Sequence, residues 1–143
     1  MTVARILAIK GRNVITTQPH RTLIEVAEIL ADRGIGAIIV SGADGEVLGI
    51  LSERDIVRAL ARGGTSVLEA PVSRHMTVKV VTASEEMSVV GVMEEMTRGR
   101  FRHVPVVKHG RLVGLVSIGD VIKHRLEEIE NEHQALREYI ATA

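Results

Sequence analysis

Apolar residues fall along this chain in two alternating rhythms. Leu23, Val26, Ala27 and Leu30 follow a helical period, and so do Val89, Val92, Met93 and Met96. Each set predicts an amphipathic helix, one over 23–33 and one over 89–98. Thr22 followed by Glu25 is a capping-box pair that starts the first helix. Short apolar runs flank them at strand length: Val14-Ile15-Thr16-Thr17 and Ala37-Ile38-Ile39-Val40 around the first helix, Val80-Val81-Thr82-Ala83 and Val104-Pro105-Val106-Val107 around the second. Turn residues, Ser41-Gly42-Ala43-Asp44-Gly45 and Lys108-His109-Gly110, then lead into one further strand in each case. Short helical segments, Thr2 to Ile9 and Val72 to Met76, precede the two first strands.

The pattern is therefore written twice, and its closing phrase is nearly literal. Gly49-Ile50-Leu51-Ser52-Glu53-Arg54-Asp55-Ile56-Val57 returns as Gly114-Leu115-Val116-Ser117-Ile118-Gly119-Asp120-Val121-Ile122. Both copies run Gly, two apolar residues, Ser, two variable residues, Asp, two apolar residues. Each unit reads β-α-β-β-α, and Ala37–Val40 matches Val104–Val107 after a one-residue shift. On that alignment Ile35 and Gly36 stand where the second copy has Arg102 and His103. Units this small bury a sheet poorly alone, so the expectation is an α/β (α+β) sandwich of two units packed with pseudo-two-fold symmetry. The expected boundaries are 2–62, a linker over 63–71, 72–125, and a C-terminal amphipathic helix over 126–143. In that tail Ile122, Leu126, Ile129, His133, Leu136 and Ile140 step by 4, 3, 4, 3, 4, a heptad seam with one polar interruption.

Composition narrows the chemistry. Hydrophobic residues make up 45% of 143 residues, with one Phe, one Tyr and no Trp, so the core is aliphatic. Eighteen basic and eighteen acidic side chains cancel, which removes the electrostatic case for nucleic acid or an anionic membrane. There is no Cys, which excludes disulfides and thiolate catalysis and fits a cytoplasmic protein. The longest apolar runs are too short to span a bilayer. The six His residues show no pairing at metal-ligand spacing, so no metal site is expected. Ser52 and Ser117 have no His within reach as a base, and no P-loop or nucleophile elbow occurs, so no catalytic residue is assigned.

What remains is binding. A strand running into a helix exposes amide donors to an anion, and an Asp one turn inside adds an acceptor for sugar hydroxyls. Ser52 with Asp55, and Ser117 with Asp120, also fit helix capping without any ligand. Gly49 and Gly114 inside strands mark the close approach of another group, and duplication of the whole phrase favours two ligand sites. For a phosphate, Arg102 is the strongest cation, with His103 beside it and Arg54 flanking the first Asp. Arg58, Arg100 and Lys123 fit a solvated surface.

The repeated phrase, together with Arg102-His103-Val104-Pro105-Val106-Val107, resembles a tandem pair of CBS domains, the Bateman module, over residues 2 to about 125. The stand-alone type is the nearer match. That resemblance implies Asp55 and Asp120 on ribose hydroxyls and Ser52 and Ser117 beside phosphate. It further implies that Ile15, Thr16, Gly36 and Ala37 in the first unit, and Val81, Thr82, His103 and Val104 in the second, meet the base. Arg54 and Gly119, in the variable positions of the phrase, complete the set. The implied function is a non-enzymatic regulatory module holding adenine nucleotides in clefts between the paired units, to sense energy or redox state. AMP ranks first, then NAD(H), then ATP, with S-adenosyl compounds also fitting. A homodimer and an unidentified protein target in trans are expected. The alternative is a ligand-free interaction scaffold acting through the C-terminal helix.

Overall fold

A computed structural model describes residues 1–142; Ala143, the last residue of the expected tail helix, lies outside the described residues. The element order is α1 (Val3–Lys10), β1 (Thr16–Thr17), α2 (Leu23–Arg33), β2 (Ala37–Ser41), β3 (Val47–Ser52), α3 (Glu53–Gly63), two short 3-10 segments (Thr65–Glu69 and Val72–Arg74), α4 (Val89–Gly99), β4 (His103–Lys108), β5 (Arg111–Ser117) and α5 (Ile118–Thr142). The mixed α/β architecture and the long C-terminal helix expected from the sequence are both present. No helix among the described residues is long and apolar enough to cross a membrane.

The first repeat forms a three-stranded sheet in the order β1-β2-β3, with β1 parallel and β3 antiparallel to the central β2. Ala37, Ile38, Ile39 and Val40 of β2 are all 3% exposed or less, as a strand covered on both faces requires. Helix α2 starts at the predicted capping box, with Thr22 and Glu25 satisfying each other's backbone amides. Its Leu23, Val26 and Leu30 join Ile38, Val40, Leu51, Ile56, Ala59 and Val72 in one aliphatic core.

The second repeat departs from this plan at its first strand. The run Val80–Ala83 forms only a single parallel bridge, Ala83 to Val106, where a strand is predicted. The Ala83 amide donates to the Pro105 carbonyl at 2.9 Å. The next rung would need a donor at 105, and proline has no N–H. Ile39, which holds the matching place in the first repeat and pairs with Thr16, keeps that donor.

The bridges also correct the alignment of the repeats. Thr17 pairs with Val40 and Ala83 with Val106. Likewise the Glu53 amide donates to the Gly36 carbonyl at 2.9 Å, and the Ile118 amide to the Arg102 carbonyl at 2.8 Å. Gly36 therefore corresponds to Arg102, and Ala37 to His103, one residue away from the match that apolar pattern alone suggests.

The chain divides into two compact units, and each takes its lead-in from the other repeat. Among the described residues, one unit contains 1–12, 82–106 and 114–142; the other contains Asn13–Val81 and Val107–Val113. In the former, the amides of Val3 and Ala4 donate to the carbonyls of Met87 and Glu85, both at 2.9 Å, and Arg12 pairs with Glu85. In the latter, Val72 donates to the Arg21 carbonyl at 2.7 Å, and Ile50 and Thr77 exchange both backbone bonds.

This exchange explains the two strand glycines without a ligand. A Cβ on Gly49 would stand 2.9 Å from the Thr77 carbonyl oxygen and 2.6 Å from Met76 Sδ, and one on Gly114 would stand 2.6 Å from a Leu7 methyl carbon. The close approach is real, but the approaching group is the chain itself. Gly49→Ala is expected to destabilise the fold by about 1–3 kcal/mol, because the Thr77 backbone cannot yield as a side chain does. Gly114→Ala, which meets the end of a side chain, should cost less. Thermal denaturation of the two variants checks this, and an unchanged melting temperature for Gly49→Ala contradicts it.

Candidate functional site

Ser52 and Ser117 each end a strand and cap the helix that follows. The Ser52 amide donates to Asp55 Oδ2 at 2.8 Å, the Ser52 hydroxyl to the same oxygen at 3.1 Å, and the Asp55 amide back to Ser52 Oγ at 3.3 Å. The Ser117–Asp120 pair repeats these contacts at 2.9, 2.9 and 3.2 Å. The capping role and the duplicated phrase are thus one structure: Asp is the reciprocal partner of the capping Ser, and it complements the positive end of the helix dipole. Every one of these bonds to carboxylate uses Oδ2. In both junctions Oδ1 is left outside the box, on a half-buried carboxylate.

The first-turn amides are divided in a similar way. Those of Glu53 and Ile118 go to the preceding strand, and those of Asp55 and Asp120 go to the capping serines. The amides of Arg54 and Gly119 enter neither arrangement. A carboxylate oxygen and a helix-terminal amide lying outside the box provide one acceptor and one donor at each junction, suited to a hydroxyl and an anion respectively.

Around the first junction the structure gathers Gly36, Ala37, Ser52, Arg54 and Asp55, since Ala37 pairs with Ser52 and Gly36 accepts from Glu53. Thr16 pairs with Ile39 further along β2, with half-buried Ile15 preceding it. Around the second junction stand Arg102, His103, Ser117, Gly119 and Asp120, with Val104 next along β4. Thr82 lies beside the Ala83 bridge; Val81 falls in the other unit and is 40% exposed. Ala37 and Val104 are buried to 3% and 1%, so their side chains belong to the core. Arg102 and Arg54 are exposed at the surface.

One residue at the second junction was invisible in the sequence pattern. Lys10, at the end of α1, places Nζ 2.6 Å from Asp120 Oδ2 and 2.9 Å from the Leu115 carbonyl. Burial pushes the Asp120 carboxyl toward its neutral form, but the Lys10 bond and the Ser117 donors together outweigh it and hold the carboxyl below its ordinary value. Nothing in the neighbourhood of Lys10 signals a partner 110 positions away. The only cue is a cation in the last turn of a helix, which the dipole alone would explain.

A cleft of about 880 Å³ lies elsewhere. It includes Thr16 but none of Ser52, Arg54 or Asp55, and Glu25, Glu28 and Asp32 line it. Three carboxylates outnumber the one guanidinium there, that of Arg21, and make a poor wall for an anion. Among the described residues no group of three His, Asp or Glu side chains could hold a metal ion.

Comparison with known proteins decides the family. The CBS domain model matches residues 6–62 and again residues 72–127. The chain belongs to the CBS domain family. The two matched CBS domains hold one serine–aspartate junction each. Among solved structures, the CBS-domain containing protein ATU1752 from Agrobacterium tumefaciens is 47% identical, with a TM-score of 0.85 over 87% of this chain and 99% of that one. The CBS domain protein PAE2072 from Pyrobaculum aerophilum, a complex with AMP, is 31% identical, with a TM-score of 0.75 over 84% of this chain and 89% of that one. The CBS domain pair of protein MJ0100, in complex with 5′-methylthioadenosine and S-adenosyl-L-methionine, is 28% identical, with a TM-score of 0.79 over 90% of this chain and 98% of that one.

Proposed function

We propose that this CBS pair is a non-catalytic regulatory module that binds an adenosyl ligand at its serine–aspartate junctions, with AMP first, then NAD(H) and ATP. The observation that carries the reading is the duplicated junction, in which a half-buried carboxylate keeps Oδ1 outside its own capping box while a helix-terminal amide stands nearby. Ribose hydroxyls donate to that oxygen, and phosphate accepts from the amides and from Arg102 or Arg54. Complexes of the similar proteins PAE2072 with AMP, and MJ0100 with 5′-methylthioadenosine and S-adenosyl-L-methionine, support an adenosyl ligand in particular. A regulatory output requires that the ligand favour one arrangement of the chain, or of its complex with a target protein in trans, over another.

A second feature supports self-association as part of the same function. The seam residues Ile122, Leu126, Ile129, Leu136 and Ile140 of α5 are all between 42% and 65% exposed, with Tyr139 at 72%. The seam is therefore not docked on its own chain, and pairing with a second α5 would bury it at about 25 cal/mol per Å² of apolar surface.

Thermal denaturation tests the ligand. AMP at about a hundredfold excess over its Kd should raise the melting temperature by several degrees. The Asp55→Ala, Asp120→Ala double variant should bind at least about tenfold more weakly. Loss of both capping partners lowers the melting temperature in the absence of AMP, so the ligand-induced increment is the quantity to compare. An undiminished increment in the double variant contradicts the reading. Sedimentation analysis tests the pairing: the full chain should run as two copies and a chain ending at residue 125 as one, and a full chain that runs as one copy refutes it.

A further inference from the structure

The two junctions match in geometry and differ in charge. Asp55 Oδ2 is bonded only within its capping box. Asp120 Oδ2 takes the same two bonds from Ser117 and, in addition, the Lys10 ammonium at 2.6 Å. Lys10 belongs to the lead-in that packs Leu7 against Gly114. In the other unit Met76 packs against Gly49, and Lys79 lies three residues beyond it as Lys10 lies beyond Leu7. Yet among the described residues Lys79 forms no ion pair with Asp55. Where the first junction has Gly36 and Ala37, the second has Arg102 and His103 at the corresponding positions.

We infer that Lys10 is the specificity residue of the second-repeat site and selects phosphorylated nucleosides over neutral ones, an inference that rests on the adenosyl-binding reading. An ammonium carries three N–H donors. Two of them are taken here, by Asp120 and by the Leu115 carbonyl. The third, on a side chain that is 36% exposed, is available to a ligand at the same carboxylate.

A neutral nucleoside that approaches Asp120 must share the carboxylate with Lys10 and returns nothing to the ammonium. An anionic ligand supplies an oxygen acceptor to Lys10 while its hydroxyls use the carboxylate, so both charges of the pair end with partners. The four-carbon stem of lysine lets Nζ move between carboxylate and phosphate without displacement of α1. A cationic ligand such as a sulfonium meets an ammonium in its path and is disfavoured. The first junction has no ammonium on its carboxylate, so it reads the phosphate only through Arg54 and the helix-terminal amides.

The test uses the full chain carrying Asp55→Ala, which leaves the second-repeat junction alone, and AMP and adenosine as probes that differ only in the phosphate. Calorimetric titration gives the ratio of the two dissociation constants. Lys10→Met, which keeps the aliphatic stem, should reduce the preference for AMP over adenosine by about tenfold, and Lys10→Arg should retain most of it. A preference that is unchanged in Lys10→Met overturns the role of Lys10 and leaves the adenosyl-binding reading standing. If the unaltered chain takes up neither probe, that reading falls and this inference falls with it. If Lys10→Arg loses the preference as completely as Lys10→Met, charge is not what Lys10 supplies, and the inference is overturned as well.

Discussion

The reciprocal bond between a capping serine and the aspartate three residues on is the constraint from which the architecture of each repeat follows. It fixes where β3 and β5 end and where α3 and α5 begin, because the serine must be extended to accept the aspartate amide. It also fixes which oxygen of the carboxylate is consumed. A helix cap and a ligand-binding carboxylate are usually weighed as rival explanations of the same two residues. Here the geometry leaves room for both, since Oδ2 serves the cap and Oδ1 lies outside it. The strand register extends the constraint inward: the residue after the serine donates to Gly36 or Arg102, so each junction sits beside the start of its neighbouring strand.

Exchange of the lead-in segments gives the fold a second layer of dependence. Helix α1 packs with the second repeat and the 72–77 segment with the first. Leu7 and Met76 fill the space that Gly114 and Gly49 leave open. The strand glycines are therefore bound up with the exchange. The same exchange delivers Lys10 to Asp120, so packing and charge at the second junction have a common origin.

Much of this was legible in the chain. The periodicities of Leu23–Leu30 and Val89–Met96 located both helices, because an amphipathic stripe records its own burial. The repeated phrase located both junctions, because a capping box is local and its partners are three residues apart. What was not legible depends on partners far along the sequence. A single missing donor at Pro105 reduced the predicted strand at 80–83 to one bridge. Apolar pattern tolerated a one-residue slip between Gly36 and Arg102 that only backbone hydrogen bonds resolve. The strand glycines announced a close neighbour without saying which one, and the role of Lys10 is set entirely by a contact across 110 positions.

The central claim is that each serine–aspartate junction is both a cap and a binding site, and amide chemical shifts report on the two roles residue by residue. In a titration of the isotopically labelled chain with AMP, the account predicts the largest perturbations at the amides of Ser52, Arg54 and Asp55 and of Ser117, Gly119 and Asp120. Perturbations confined to the acidic cleft of Glu25, Glu28 and Asp32, or none at saturating AMP, would contradict it.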